Sequence, residues 1–265
     1  MSEEQFQAIR AGGFVAAATL ALLLQRLMPH AGLRGSWRVN GTLWLVNLIV
    51  IGAVCGACAC TVARWAGQAG IGLLNAWPMP PYVALPGAIV ALDLVSYCWH
   101  RANHGVALLW RFHQAHHSDS TFTVSTAVRF HPGELLLSLP LRLTAVVLIG
   151  ASAEAVVLFE IVFAVANLLE HGDIALPRRI ERLIERLCIT PALHRRHHTR
   201  SGPDRDRNFG TVFVIWDRAF GTYAQSDSAT SVRTGLPGLD DLTPLHVFAL
   251  PLRRPAAISG ACASE

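Results

Sequence analysis

Charge is scarce in this chain. Asp, Glu, Lys and Arg make up 15% of its 265 residues, against about 25% in an average soluble domain. With 52% hydrophobic residues and a mean hydropathy of +0.38, that scarcity argues against an ordinary soluble domain and for a membrane protein. Lysine is missing altogether, and all 22 basic residues are arginine; we read this as lineage bias and attach no mechanism to it. The net charge of +4 is dispersed among apolar stretches, which disfavours a nucleic-acid binder and suits membrane-flanking segments. A disulfide framework is lacking too. Cys55, Cys58 and Cys60 fall inside an apolar run, where small polarisable residues pack helices, and Cys98, Cys188 and Cys262 are isolated. No basic n-region precedes the first apolar stretch and no small-residue cleavage site follows it, so a retained helix is expected rather than a signal peptide.

What the chain has is apolar runs and histidine. The runs cover 11–29, 42–62, 82–99, 135–150 and 153–170, near the roughly 20 residues that cross hydrocarbon. Residues 65–81, rich in Trp, Gly and Pro, suit an interfacial loop. Gly150, Ala151 and Ser152 join the last two runs into a helical hairpin. The expected fold is all-α: a single multi-pass membrane domain over 1–265, of about five spans including the 135–170 hairpin, with a histidine-rich helical cap. Arginine orients it. Arg26, Arg34 and Arg38 lie in the first connection and ten more in 171–218, against Arg10 and Arg64 on the other side. By the positive-inside rule the N-terminus is outside and the cap cytoplasmic, in the inner membrane of a bacterium or the endoplasmic reticulum of a eukaryote.

Five of the twelve histidines fall between His100 and His117, spaced HxxxH (His100, His104) and HxxHH (His113, His116, His117). The second spacing returns at His194, His197 and His198. Residues three and four apart share a helix face, so each group can aim imidazoles at one point. Eight imidazoles exceed what one tetrahedral ion uses, and imidazole suits Zn, Fe, Cu and Ni. The spacing therefore predicts a two-metal centre, and five spans place all three groups on one membrane face. A single HxxxH is more often packing or a surface pair; the expectation rests on the repetition. His131, before a proline, is expected to be structural, and His30 and His246 unliganded.

Charges inside spans default to functional or paired roles. Asp93 stands seven and eleven residues before His100 and His104, on one helical stripe with them, and could accept the second N–H of a ligating imidazole. Glu160, Ala164, Asn167 and His171 share another stripe, which makes His171 a ninth ligand candidate and Asn167 its polar neighbour. Arg142 and Glu160 each lie nine residues from Ala151 and are expected to pair across the hairpin.

The stretches DLVSYCWHRANH (93–104), RFHQAHHS (111–118), RFHPGE (129–134), PALHRRHH (191–198), DRNFG (206–210) and WDRAFGTY (216–223) resemble the fatty acid hydroxylase (sterol desaturase) superfamily of membrane di-iron oxygenases. The resemblance implies a catalytic region over 82–223, preceded by N-terminal spans and loops over 1–81 and followed by a tail over 224–265. It makes His100, His104, His113, His116, His117, His194, His197 and His198 ligands, with His171 a further one. It implies two iron ions, which zinc can replace in purified protein, and O₂ as co-substrate. It also implies a lipid substrate (fatty acyl or sterol-like) from the bilayer and electrons from a separate ferredoxin, cytochrome b5-like protein or reductase. After His171 the family pattern has a small residue and then asparagine; here Gly172 is followed by Asp173, a carboxylate that either perturbs the centre or caps the next turn.

Two other classes remain open at this point: a zinc-dependent intramembrane hydrolase, which normally uses fewer ligands and a general-base carboxylate, and a metal- or lipid-binding protein without catalysis. Lipid identity, and hydroxylation versus desaturation, depend on the shape of a channel whose apolar residues look interchangeable in sequence.

Overall fold

The computed structural model describes residues 2–55, 58–200, 203–225 and 232–253. The first eight helices are α1 (Glu3–Leu27), α2 (Trp37–Cys55), α3 (Cys58–Gln68), α4 (Leu73–Ala76, a single turn), α5 (Pro81–Gly105), α6 (Ala107–His117), α7 (Pro132–Ile149) and α8 (Ala153–Glu170). Short helices α9 (Arg178–Ile184), α10 (Pro191–His197), α11 (Ile215–Ala219) and α12 (Pro244–Phe248) complete the cap. No β-strand occurs among the described residues. The apolar run over 42–62 is shared between α2 and α3, with 56–57 outside the described residues, as are the side chains of Cys55 and Cys58.

Local chemistry explains where the helices start and stop. Ser2 and Gln5 form a reciprocal capping box on α1, whose first turn also carries Glu3 and Glu4 against the positive end of the helix dipole. Gly150 closes α7 in the left-handed conformation (φ 71°) that glycine adopts without strain. Two residues later Ser152 caps α8 by accepting from the Ala155 N–H, so the hairpin turn falls on Gly150, Ala151 and Ser152.

Among the described residues, α1, α5 and α7 are long and apolar enough to cross a membrane. Helix α8, equally apolar elsewhere, carries Glu154, Glu160 and Glu170. Its partners account for one of these charges. Arg142 on α7 stands 3.7 Å from Glu160, the pairing the hairpin predicts, but Arg10 on α1 is closer at 2.5 Å. Equal depth across the hairpin says nothing about α1, the third helix that reaches Glu160. Helix α1 packs along α8, with Ala17 and Ala21 against Leu168. Leu92, Val146, Val156, Val157 and Phe159 form the apolar core among α5, α7 and α8.

At the other end a polar clamp fixes α6. Arg129 donates to the Ala115 carbonyl (2.9 Å), to Ser118 Oγ (2.9 Å) and to Asn40 Oδ1 (3.0 Å). Asn40 in turn donates to Asp119 Oδ2 at 2.8 Å. All four residues that supply side chains are buried, so the last turn of α6 is tied to α2 by groups with no water to replace one another. Arg129→Met leaves Asp119 buried without its cation and is expected to cost about 3–5 kcal/mol. A fall of the thermal midpoint of detergent-solubilised protein by several degrees is the expected result; an unchanged midpoint would contradict the clamp.

Candidate metal centre

Nine histidines meet where the long helices join the cap. Helix α5 supplies His100 and His104, α6 supplies His113, His116 and His117, the end of α8 supplies His171, and α10 supplies His194 and His197 with His198 directly after it. Every one is buried. They fall into two groups, His100/His104/His113/His117/His197 and His116/His171/His194/His198, and within each group one ring nitrogen per residue lies within 4.8 Å of all the others. The division cuts across the sequence groups for a helical reason. Pairs four apart (100/104, 113/117, 194/198) stay together, whereas adjacent residues diverge by about 100°. So His116 parts from His117, and His197 from His198.

Oxygen acceptors set the tautomers. His100 Nδ1 donates to the Phe209 carbonyl (2.9 Å), His171 Nδ1 to the Asn167 carbonyl (2.7 Å) and His197 Nδ1 to the Arg207 carbonyl (2.8 Å). His113 Nδ1 donates to Glu134 Oε1 (2.9 Å) and His104 Nδ1 to Asp206 Oδ1 (3.3 Å). With the proton held at Nδ1, Nε2 presents its lone pair inward, the usual arrangement behind a metal-ligating imidazole. Burial holds the cap histidines neutral. It pushes His171 down to about 4 and His197 to about 3. It also lowers His116, His117, His194 and His198, neighbouring imidazoles adding to the effect.

The donor set fits metal ions. Buried polar atoms normally find hydrogen-bond partners, yet Nε2 of His100, His113 and His197 and both ring nitrogens of His198 have none. Three Nε2 pairs face each other instead: His104 with His117 (3.1 Å), His116 with His171 (3.0 Å) and His194 with His171 (2.9 Å). Inward-facing neutral nitrogens in two groups are what two cations of the imidazole-binding class require.

The polar residues predicted around the histidines behave differently from expectation. Asp93 touches no imidazole. Its two oxygens accept from Thr211 Oγ1, the Val212 and Phe213 N–H groups and Trp216 Nε1 (2.8–3.1 Å). Sharing a helical stripe with His100 did not suffice, because the 211–216 segment, distant in sequence, lies over that stripe and supplies four donors. Asn167 reaches His171 through its carbonyl, while its side chain donates to Ala127 O. Asp173 caps the first connection by accepting from the Ala31 and Leu33 N–H groups (3.0 Å each at the shorter contacts) and lies away from the ligand nitrogens. His131 caps α7, accepting from the Gly133 N–H, and His246 joins a capping box at α12.

Glu134, Asp206, Phe209, Phe122 and Arg195 were missed as residues that position histidines. Phe122 packs against His198 with ring centroids 4.9 Å apart, and the Arg195 guanidinium lies over the Phe122 ring, 5.8 Å from its centroid. Arg195 also donates to the Gly172 and Ile174 carbonyls, which ties the chain after His171 to α10. The quoted DRNFG and RFHPGE stretches were the available signal. Asp206, the Arg207 carbonyl and the Phe209 carbonyl each hold a different histidine, and Glu134 holds a fourth.

A cavity of about 850 Å³, open mouth included, rises from this floor. His100, His113, His116, His171 and His194 line its base, and Val95, Trp99, Leu135, Phe159 and Phe163 its walls. An apolar slot over inward-facing imidazoles can hold a hydrocarbon chain against bound metals and keep water out.

Comparison with known proteins agrees with this geometry. An ornithine lipid hydroxylase of Rhizobium tropici is 33% identical over 162 residues, covering 61% of this chain and 47% of its own length. The alkylglycerol monooxygenases of Danio rerio and Homo sapiens are each 32% identical, over 52% and 51% of this chain and 30% and 29% of their own. The chain thus spans less than half the length of these relatives. No solved structure matches it. The fatty acid hydroxylase family matches residues 85–222, just over half of the chain and all nine histidines, and the chain belongs to that family.

Proposed function

We propose that this protein is an integral-membrane, O₂-dependent di-iron oxidase that hydroxylates a lipid chain drawn from the bilayer. One observation carries the reading: nine buried imidazoles gather in two groups, and five of them, drawn from both groups, form the floor of an apolar cavity. Two bound irons would supply the activation of O₂ needed against an unactivated C–H bond. His100, His104, His113, His117 and His197 would hold one, and His116, His171, His194 and His198 the other. The chain's own contribution is positioning. Glu134, Asp206 and the carbonyls of Asn167, Arg207 and Phe209 keep the Nδ1 protons of His113, His104, His171, His197 and His100 in place, and the walls of the slot present hydrocarbon and exclude water. The activities named for the relatives, hydroxylase and monooxygenase, favour hydroxylation over desaturation. Electrons come from an external donor of the ferredoxin, cytochrome b5-like or reductase class, delivered from the aqueous side. Zinc binds nitrogen sites more tightly than Fe²⁺, so zinc in a purified sample is compatible with an iron enzyme.

The topology that serves this chemistry has five spans, with α1, α2, α5, α7 and α8 crossing, the N-terminus outside and the histidines at the cytoplasmic rim. Reporter fusions test it. Alkaline phosphatase fused after residue 66 should be active and a fluorescent protein after residue 225 should glow, in opposite compartments; the same compartment for both removes the topology. For the chemistry, His116→Ala and His197→Ala, one from each group, should each lower hydroxylated lipid at least a hundredfold with expression retained. Product that persists in the absence of O₂ would end the proposal, and comparative lipidomics of deletion and complemented strains identifies the product.

A further inference from the structure

The slot over the histidines does not end in hydrocarbon. Val95, Ser96, Arg142 and Phe159 line it and also line a second cavity, whose other walls include Arg10, Leu92, Leu139, Val156 and Glu160. The two spaces adjoin across those four side chains. On α8 the way from His171 to Glu160 is eleven residues, about 16 Å of helix. At roughly 1.2 Å per bond of an extended chain, that distance suits a chain of about a dozen carbons.

The charges at the far end do not balance. Two guanidinium groups meet one carboxylate, and among the described residues Glu160 is the only acid lining the second cavity. Arg10 Nη2 holds Glu160 Oε2 at 2.5 Å and also reaches Cys60 Sγ at 3.4 Å, while its buried Nε has no partner. Arg142 lies looser, at 3.7 Å from Glu160 Oε1. One guanidinium charge, that of the half-exposed Arg142, is therefore left over at the edge of an apolar cavity, and a carboxylate joining it there restores neutrality. A role in helix packing alone asks for neutrality, which a single arginine would give.

We propose that Arg142, with Arg10 and Glu160, forms the distal end of the substrate slot and binds the carboxylate of a single-chain lipid whose hydrocarbon runs from there to the histidines. The proposal takes from the oxidase reading only the identity of the histidine end. Arg142 supplies the free donors, Glu160 orients both guanidinium groups, and the length of the slot selects the chain.

Binding tests this without turnover. Full-length protein in detergent, with its metals, is titrated with laurate and with methyl laurate, and affinity is followed by intrinsic tryptophan fluorescence and thermal shift. A charge-assisted hydrogen bond lost with the ester predicts that laurate binds about tenfold or more tightly than methyl laurate. Arg142→Gln should abolish that preference and leave methyl laurate unaffected, and Arg142→Lys should keep part of it. Ser96→Phe, which fills the junction of the two cavities without touching the ion cluster, should weaken laurate at least tenfold. Equal binding of acid and ester by the wild-type protein overturns the proposal. So does a parallel loss of both ligands in Arg142→Gln, which marks a packing role, or full laurate binding by Ser96→Phe. Laurate that binds as expected but is never oxidised would count against the oxidase reading and leave this site standing.

Discussion

Burying a polar nitrogen without a partner is expensive, and this protein does so repeatedly in one place. Neutral imidazoles whose lone pairs face one another across about 3 Å gain nothing from that arrangement by themselves. The convergence becomes favourable once cations share those lone pairs, and metal binding then contributes to the free energy of folding the cap. The Arg129 clamp, the hydrogen bonds to Asp93 and the hold of Arg195 on the chain after His171 all serve to keep α5, α6, α8 and α10 in the registers this convergence needs.

The carbonyl and carboxylate acceptors behind the histidines do a second job. For His100, His104, His113, His171 and His197 each fixes which nitrogen carries the proton, so these five present a basic Nε2 inward and a satisfied Nδ1 outward. Asn208 adds to this from a left-handed backbone conformation (φ 55°), bridging Leu193 O and Ala224 O with its side-chain amide. It holds the 206–210 segment against α10, and so the Phe209 carbonyl against His100. Asp217 accepts from the Phe209 and Gly210 N–H groups at 2.8 Å each and secures the same segment from the other side.

Much of this was legible in the sequence, and the parts that were not share a cause. Histidine spacing identified eight of the nine converging side chains, and the stripe it shares with Glu160 and Asn167 the ninth, His171, because helical periodicity is local and three- and four-residue offsets survive any tertiary arrangement. The hairpin turn at Gly150–Ser152 was legible for the same reason. The two-group partition was readable in principle from the 100° step between His116 and His117, but only once both were known to face one centre. Asp93 was assigned to the wrong partner, since its real donors lie about 120 residues later and nothing local announces them. Arg10 was missed as the closer partner of Glu160 because depth counted along one hairpin carries no information about a third helix. Asp173, the departure from the family pattern, proved to be a cap on the first connection.

The central claim is that the nine imidazoles bind two ions together, one per group. Metal analysis of the protein purified from iron-supplemented cells and stripped by chelator, then titrated anaerobically with Fe²⁺, tests it most directly. Two equivalents per chain are expected, falling to about one in His198→Ala, which removes a ligand from the four-histidine group alone. A single equivalent in the wild-type protein, or none, would contradict the account.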